Sequence, residues 1–296
     1  MSTRQFVTRD GTRLAVETAE PVGSAAETTV VLVHGWTQDR RTWDRVVGLL
    51  PPDVRRVRYD LRGHGESAPA EPGTATIDHL ADDLAEVIDA EAPSGRLVLA
   101  GHSMGGMTIM ALADRHPELV RNRVNGVAFV STACSGMDRM TLGLPGFLGN
   151  LAHRVERGLA DLLTRYRGDR LPIGRIPANL AIRWLVFGRG PRNADVASVV
   201  DQFLRAHPAS VGAFQNAISL HDRTAALATL RHTPSVVLAG TADRLCSPRH
   251  AQAIAAELEA GHLVLYPDAG HMLPQERAHD VAEHIAALCR FPLVTK

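Results

Sequence analysis

In the first 134 residues, short apolar runs rich in Val and Leu alternate with segments whose apolar positions recur every three or four residues. Runs bounded by turn residues predict strands at Thr29 to His34, Arg55 to Tyr59, Leu97 to Ala100 and Val127 to Val130. Helical spacing between them falls at about 42–50, 78–90 and 104–115. Ahead of this series, Phe6 to Thr8 and Leu14 to Glu17 flank Asp10-Gly11, a hairpin turn signal. Such a βαβ series predicts an α/β fold whose central sheet is mostly parallel and flanked by helices. From 135 to 232 the pattern becomes helices broken by Gly and Pro. Strands resume at Ser235 to Ala239 and His262 to Tyr266. The expected organisation is a core in two parts, 1–134 and 233–296, carrying a helical cap at 135–232. Within the cap, Leu148, Leu151, Ala152, Val155, Leu159, Leu162 and Leu163 form one amphipathic stripe. Its apolar side is expected to pack on the core; transient contact with a lipid surface is the other use of such a stripe.

The chain has 296 residues, 45% of them hydrophobic and 22% charged, with 32 basic against 32 acidic residues. Zero net charge removes the electrostatic case for nucleic acid as a partner. The cap is uneven, with 13 Arg against 7 acidic residues (+6), and the remainder carries 19 against 25 (−6). Cys134, Cys246 and Cys289 have neither disulfide nor metal spacing. No apolar run approaches the ~18 residues of a membrane span, and the first residues lack a secretory apolar stretch, so a cytoplasmic location is expected.

Chemistry concentrates in Leu97-Val98-Leu99-Ala100-Gly101-His102-Ser103-Met104-Gly105-Gly106-Met107, a buried strand running through Gly-x-Ser-x-Gly into a helix. In such an elbow the serine is strained at a sharp turn, so Gly101 and Gly105 must be small to let the chain pass itself. A Gly-rich packing turn would give the same five residues without the chemistry. Several further motifs agree in order. They are Val33-His34-Gly35-Trp36, Asp60-Leu61-Arg62-Gly63-His64-Gly65-Glu66-Ser67, Leu238-Ala239-Gly240-Thr241-Ala242-Asp243 and Asp268-Ala269-Gly270-His271. Together they resemble the α/β-hydrolase superfamily, in particular its capped serine hydrolases of the carboxylesterase and monoacylglycerol lipase kind. Ala278 stands where relatives often open the last helix with proline.

The resemblance implies a nucleophile, acid and base in the chain order Ser103, Asp243, His271. A serine hydroxyl needs a base that titrates near neutrality, which suits histidine among the 14 present. His34, His64 and His102 belong to motifs that shape loops or the pocket. His271 could otherwise cap the helix after it. Asp243 ends a predicted strand 28 residues before His271, whereas Asp268 reads as a turn former and Asp60 as a loop organiser. The oxyanion donors implied are the backbone N–H groups of Trp36 and Met104. No metal or organic cofactor is called for. The expected reaction is hydrolysis of a hydrophobic carboxylic ester through an acyl-enzyme. The same three residues could move the acyl group to peroxide or another acceptor, or cleave a C–C bond beside a ketone. A ligand receptor on a hydrolase scaffold is the reading from a different class. Phe147, Trp184, Phe187, Phe203 and Phe214 give the cap an aromatic character, and its glycines are expected to let it move.

Overall fold

The computed structural model describes residues 2–23, 27–139, 158–166, 168 and 170–290. Strands β1 (Ser2–Val7) and β2 (Arg13–Ala19) form the opening antiparallel hairpin, turned at Gly11 with φ 87°. There follow β3 (Thr28–Val33), β4 (Arg55–Tyr59), helix α1 (Ile77–Glu91), β5 (Arg96–His102), α2 (Met104–Arg115), α3 (Pro117–Arg123) and β6 (Val124–Val130). Helical residues 158–165, then α4 (Arg175–Val186), α5 (Asn193–Arg205) and α6 (Pro208–Ser219), separate β6 from β7 (Ser235–Gly240). The chain closes with α7 (Pro248–Glu257), β8 (Gly261–Tyr266) and α8 (Ala278–Arg290). The last helix opens on Ala278 without a proline.

The eight strands lie in the order β1-β2-β4-β3-β5-β6-β7-β8, and every pair from β4 to β8 is parallel. This is the mostly parallel, helix-flanked sheet predicted from the pattern, in the arrangement that the resemblance implies. Chain order carries β4 to one side of β3 and β5 to the other, so the winding reverses at β3 and β5. A crevice opens at the carboxyl ends of strands at such a point.

Alternation along the strands sorts the core. Val31 and Val33 pack on α1 and α2, while Val30 and Leu32 pack on Trp43, Val46 and α8. With helices on both faces the central strands β3, β5, β6 and β7 are buried almost throughout, which explains their continuous apolar runs. Thr76 starts α1 by accepting the His79 N–H at 3.1 Å. The helices between β6 and β7 have an apolar cluster of their own, Ala178, Ile182, Phe187, Val196, Val199 and Val200. Met272 of the core joins it. Among the described residues no helix is long and apolar enough to cross a membrane.

One expectation for this middle segment changes. Leu148, Leu151, Ala152 and Val155 of the predicted stripe lie outside the described residues, and in 158–165 Leu159 and Leu162 are 52% and 65% exposed. That helix docks through buried Ala160 instead. A Cβ on Gly212 of α6 would overlap the Ala160 carbonyl and the Thr164 amide, so backbone approach takes the place of leucine packing. Gly188 likewise permits close approach, since a Cβ there would overlap the Asp268 carbonyl.

Candidate active site

Ser103 sits between β5 and α2 at φ 53°, ψ −119°, a conformation sterically costly for any residue with a Cβ. The turn closes only because of its glycines. A Cβ on Gly105 would run into the Val33 carbonyl, and one on Gly101 into the Gly105 peptide. Ser103 N–H donates to the Val130 carbonyl at 2.9 Å, and its own carbonyl accepts the Thr132 hydroxyl at 2.7 Å. The strain is thus held by the flanking strand.

Asp243 follows β7 with its side chain fully buried. One carboxylate oxygen accepts the backbone N–H of Leu245 at 2.8 Å and of Cys246 at 2.9 Å; the other faces His271 Nδ1 at 2.8 Å. That contact fixes the His271 proton on Nδ1 and leaves Nε2 as an acceptor. Ser103 and His271 line one cavity of about 120 Å³, the crevice expected at the reversal of winding. No hydrogen bond joins them among the described contacts. Trp36 lines the same cavity, and its indole N–H donates to the Val211 carbonyl of α6 at 3.0 Å. Neither the Trp36 nor the Met104 backbone N–H is a donor in the described hydrogen bonds.

Asp268 is exposed at a turn with φ 58°, and its amide bonds to Thr241. Asp60 accepts the Arg40 and Glu66 amides at 2.7 and 2.8 Å; burial pushes its pKa up to about 6. Both are organisers of loops. His34 accepts the Leu61 N–H at 2.9 Å and is lowered to about 4 by burial, which keeps it neutral. His64 is lowered to about 3, by burial and then by His34. His102 donates from Nε2 to the main-chain carbonyl of His271 at 2.9 Å, with ring centroids 4.9 Å apart. Burial first, and then the neighbouring His271, hold His102 well below the usual histidine range. Cys246 lines the cavity as a neutral thiol, raised by burial and by Asp243.

Around the serine the walls are apolar, with Met107, Ile182, Leu185, Val199, Phe203 and Ile218 prominent. Of the aromatic residues expected to matter, Phe203 reaches the cavity, whereas Phe187 and Phe214 are core. Trp184 is half exposed under Arg244, and Phe147 lies outside the described residues. Two holds on the His271 loop had no sequence motif of their own: the Val186 carbonyl, which accepts the His271 N–H, and Glu276, which accepts the Gly270 N–H. Glu276, five residues beyond His271 at the end of a short helix, offered only its spacing as a signal.

A buried parallel sheet with a serine elbow at its switch point defines a hydrolase fold of the serine type. The comparisons agree with it. Residues 30–284 match the alpha/beta hydrolase family, and the chain belongs to that family. It is similar to the pimeloyl-(acyl-carrier protein) methyl ester esterase of Nitrosomonas europaea, 28% identical over 252 residues that cover 82% of this chain and 88% of that protein. A match to a Bacillus subtilis protein, 33% identical over 168 residues, spans only 55% of that relative's length. Among solved structures, a thermophilic esterase from Thermogutta terrifontis superposes with a TM-score of 0.77 at 27% identity, covering 98% of each chain. The enol-lactonase of Burkholderia xenovorans LB400 gives 0.74 at 25% identity, covering 96% of this chain and 99% of that one. The protein is therefore an enzyme of this fold.

Proposed function

We propose that the protein cleaves a carboxylic ester with an apolar acyl group, using Ser103 as nucleophile, His271 as base and Asp243 as the acid that orients it. The observation that carries this reading is the buried 2.8 Å contact between Asp243 and His271 in the cavity that also holds Ser103 on its strained turn. Ser103 Oγ attacks the ester carbonyl as its proton passes to His271 Nε2. Negative charge on the carbonyl oxygen is met by the N–H groups of Trp36 and Met104, the latter at the N-terminus of α2, where the helix dipole favours it. Collapse breaks the C–O bond, and the alcohol leaves with the proton from His271. Water then gives a proton to His271 and its oxygen to the acyl carbon, and the bond from Ser103 Oγ to the acyl carbon breaks as Oγ takes that proton back, releasing the acid and restoring Ser103. Asp243 holds the imidazolium throughout. A substrate brings Ser103 and His271 into hydrogen-bonding contact as it closes the site.

Residues 135–232 act as the cap that sets the acyl pocket, a role supported by Ile182, Leu185, Val199 and Phe203 lining it. Acyl transfer to peroxide or another acceptor would use the same groups, and Trp36 beside the serine favours this as the second reading. The test is product analysis of wild type and Ser103→Ala on p-nitrophenyl esters from acetate to palmitate, with and without competing peroxide or alcohol. Activity lost in the variant, with free acid as the main product, supports hydrolysis. Activity retained in Ser103→Ala contradicts the assignment, and peracid or new ester as the main product moves it to the second reading.

A further inference from the structure

The loop that carries His271 is tied to the cap along its backbone. At the C-terminal end of α4 the Val186 carbonyl accepts the N–H of His271 at 2.8 Å and of Met272 at 3.1 Å. Arg189 N–H donates to the Asp268 carbonyl at 2.9 Å. The Glu276 carboxylate then joins both sides: it accepts the Gly270 N–H at 3.0 and 3.1 Å and the Gly188 N–H at 2.9 Å. Two glycines make the approach possible, since a Cβ on Gly270 would overlap the Phe187–Gly188 peptide just as one on Gly188 would overlap Asp268. Met272, next to the base, is buried in the cap's own apolar cluster.

We propose that Glu276 is a positioning residue whose carboxylate clamps Gly188 of the cap to Gly270 of the base loop, so that His271 is aligned on Ser103 only while the cap is seated. This rests on Ser103 and His271 being nucleophile and base. A carboxylate suits the place because two N–H donors from separate segments converge on it, and an apolar side chain would leave both unpaired. Burial raises the Glu276 carboxyl, opposed by these two N–H groups. Leu185 and Val186 line the acyl cavity while the Val186 carbonyl holds the base, so a substrate seated against these residues bears on the alignment of His271.

The experiment compares Glu276→Ala, Glu276→Gln and Gly188→Ala with wild type. It measures the rate of Ser103 modification by a fluorophosphonate, kcat and KM on a p-nitrophenyl ester, the thermal melt, and amide exchange at Gly188 and Gly270. Glu276→Ala is expected to lose on the order of 10- to 100-fold in both kcat and labelling rate, the scale of a misplaced catalytic group, with KM nearly unchanged. Glu276→Gln, which keeps one acceptor oxygen, is expected to recover most of the loss. Gly188→Ala presses the same backbones apart from the cap side and is expected to reproduce it. A folded Glu276→Ala with wild-type kcat and labelling overturns the clamp. So does a Gln variant as slow as Ala, a loss confined to KM, or an unaltered labelling rate in Gly188→Ala should Glu276→Ala fail to fold. Absence of labelling in wild type would instead count against the Ser103 reading. The clamp is then judged on the Gly188 and Gly270 amides, protected in wild type and exposed in Glu276→Ala if it holds, equally protected in both if it does not.

Discussion

Replacing Asp243 by asparagine isolates what the buried carboxylate does. The substitution keeps shape, and its amide oxygen can still accept the Leu245 and Cys246 N–H groups now bonded at 2.8 and 2.9 Å. The group turned to His271 becomes an NH2, so Nδ1 must accept and the ring proton moves to Nε2, the nitrogen that has to take the serine proton. Charge is lost as well. At the observed 2.8 Å and an effective dielectric of ~20, an imidazolium and a carboxylate attract by about 6 kcal/mol. At 1.36 kcal/mol per tenfold in rate, that is about four powers of ten. We therefore expect Asp243→Asn to lose about 10⁴-fold in kcat, with KM changed little and the protein still folded. The assay is steady-state hydrolysis of a p-nitrophenyl ester, with the circular dichroism melt run in parallel. A folded variant that keeps a tenth or more of the wild-type kcat would refute the reasoning and return Asp243 to a role in closing its own loop.

Acid should weaken the fold through its buried histidines. His34 and His221 are lowered to about 4 and His64 to about 3, so between pH 6.5 and 4 the unfolded chain binds protons that the folded one does not. Stability then falls with pH, by about 1.4 kcal/mol per pH unit for each histidine. Asp60, raised to about 6, binds a proton only when folded over much of that window and offsets one of them. Urea melts at pH 7, 6 and 5 should show the net loss; a flat profile would contradict the assigned neutrality of these rings. Gly105→Ala forces a Cβ into the Val33 carbonyl and should destabilise the protein by about 1–3 kcal/mol while abolishing ester turnover, read by thermal melt and assay. Enlarging a wall of the 120 Å³ cavity, as in Val199→Phe, should move the preferred ester to a shorter acyl chain without lowering turnover of acetate. An unchanged chain-length profile would place the acyl group elsewhere.

The core was legible because its central strands, β3, β5, β6 and β7, are buried on both faces. Arg55–Tyr59 falls at the predicted bounds, and the other strands shift by at most a few residues at their ends. The elbow was legible because its glycines are demanded by backbone contact, here with the Val33 carbonyl and with one another, and such demands leave a motif. Less could be read in the middle segment. A leucine stripe looks the same whether it faces a core or water, and the 158–165 helix used Ala160 against Gly212, a contact of backbone that periodicity does not report. Gly188 there is a point of close approach to the base loop, a use of glycine that its place in the sequence does not show. Glu276 was invisible for a similar reason: its partners are main-chain N–H groups, which carry no residue identity.

The central claim is a covalent acyl intermediate on Ser103. The most direct measurement is intact-mass spectrometry of the protein acid-quenched during turnover of a slowly hydrolysed p-nitrophenyl ester, with peptide mapping of the adduct. The predicted result is a single acyl mass on the peptide containing Ser103, formed in step with a burst of p-nitrophenol and absent in Ser103→Ala. Turnover with no adduct, or an adduct mapped to another residue, would contradict it.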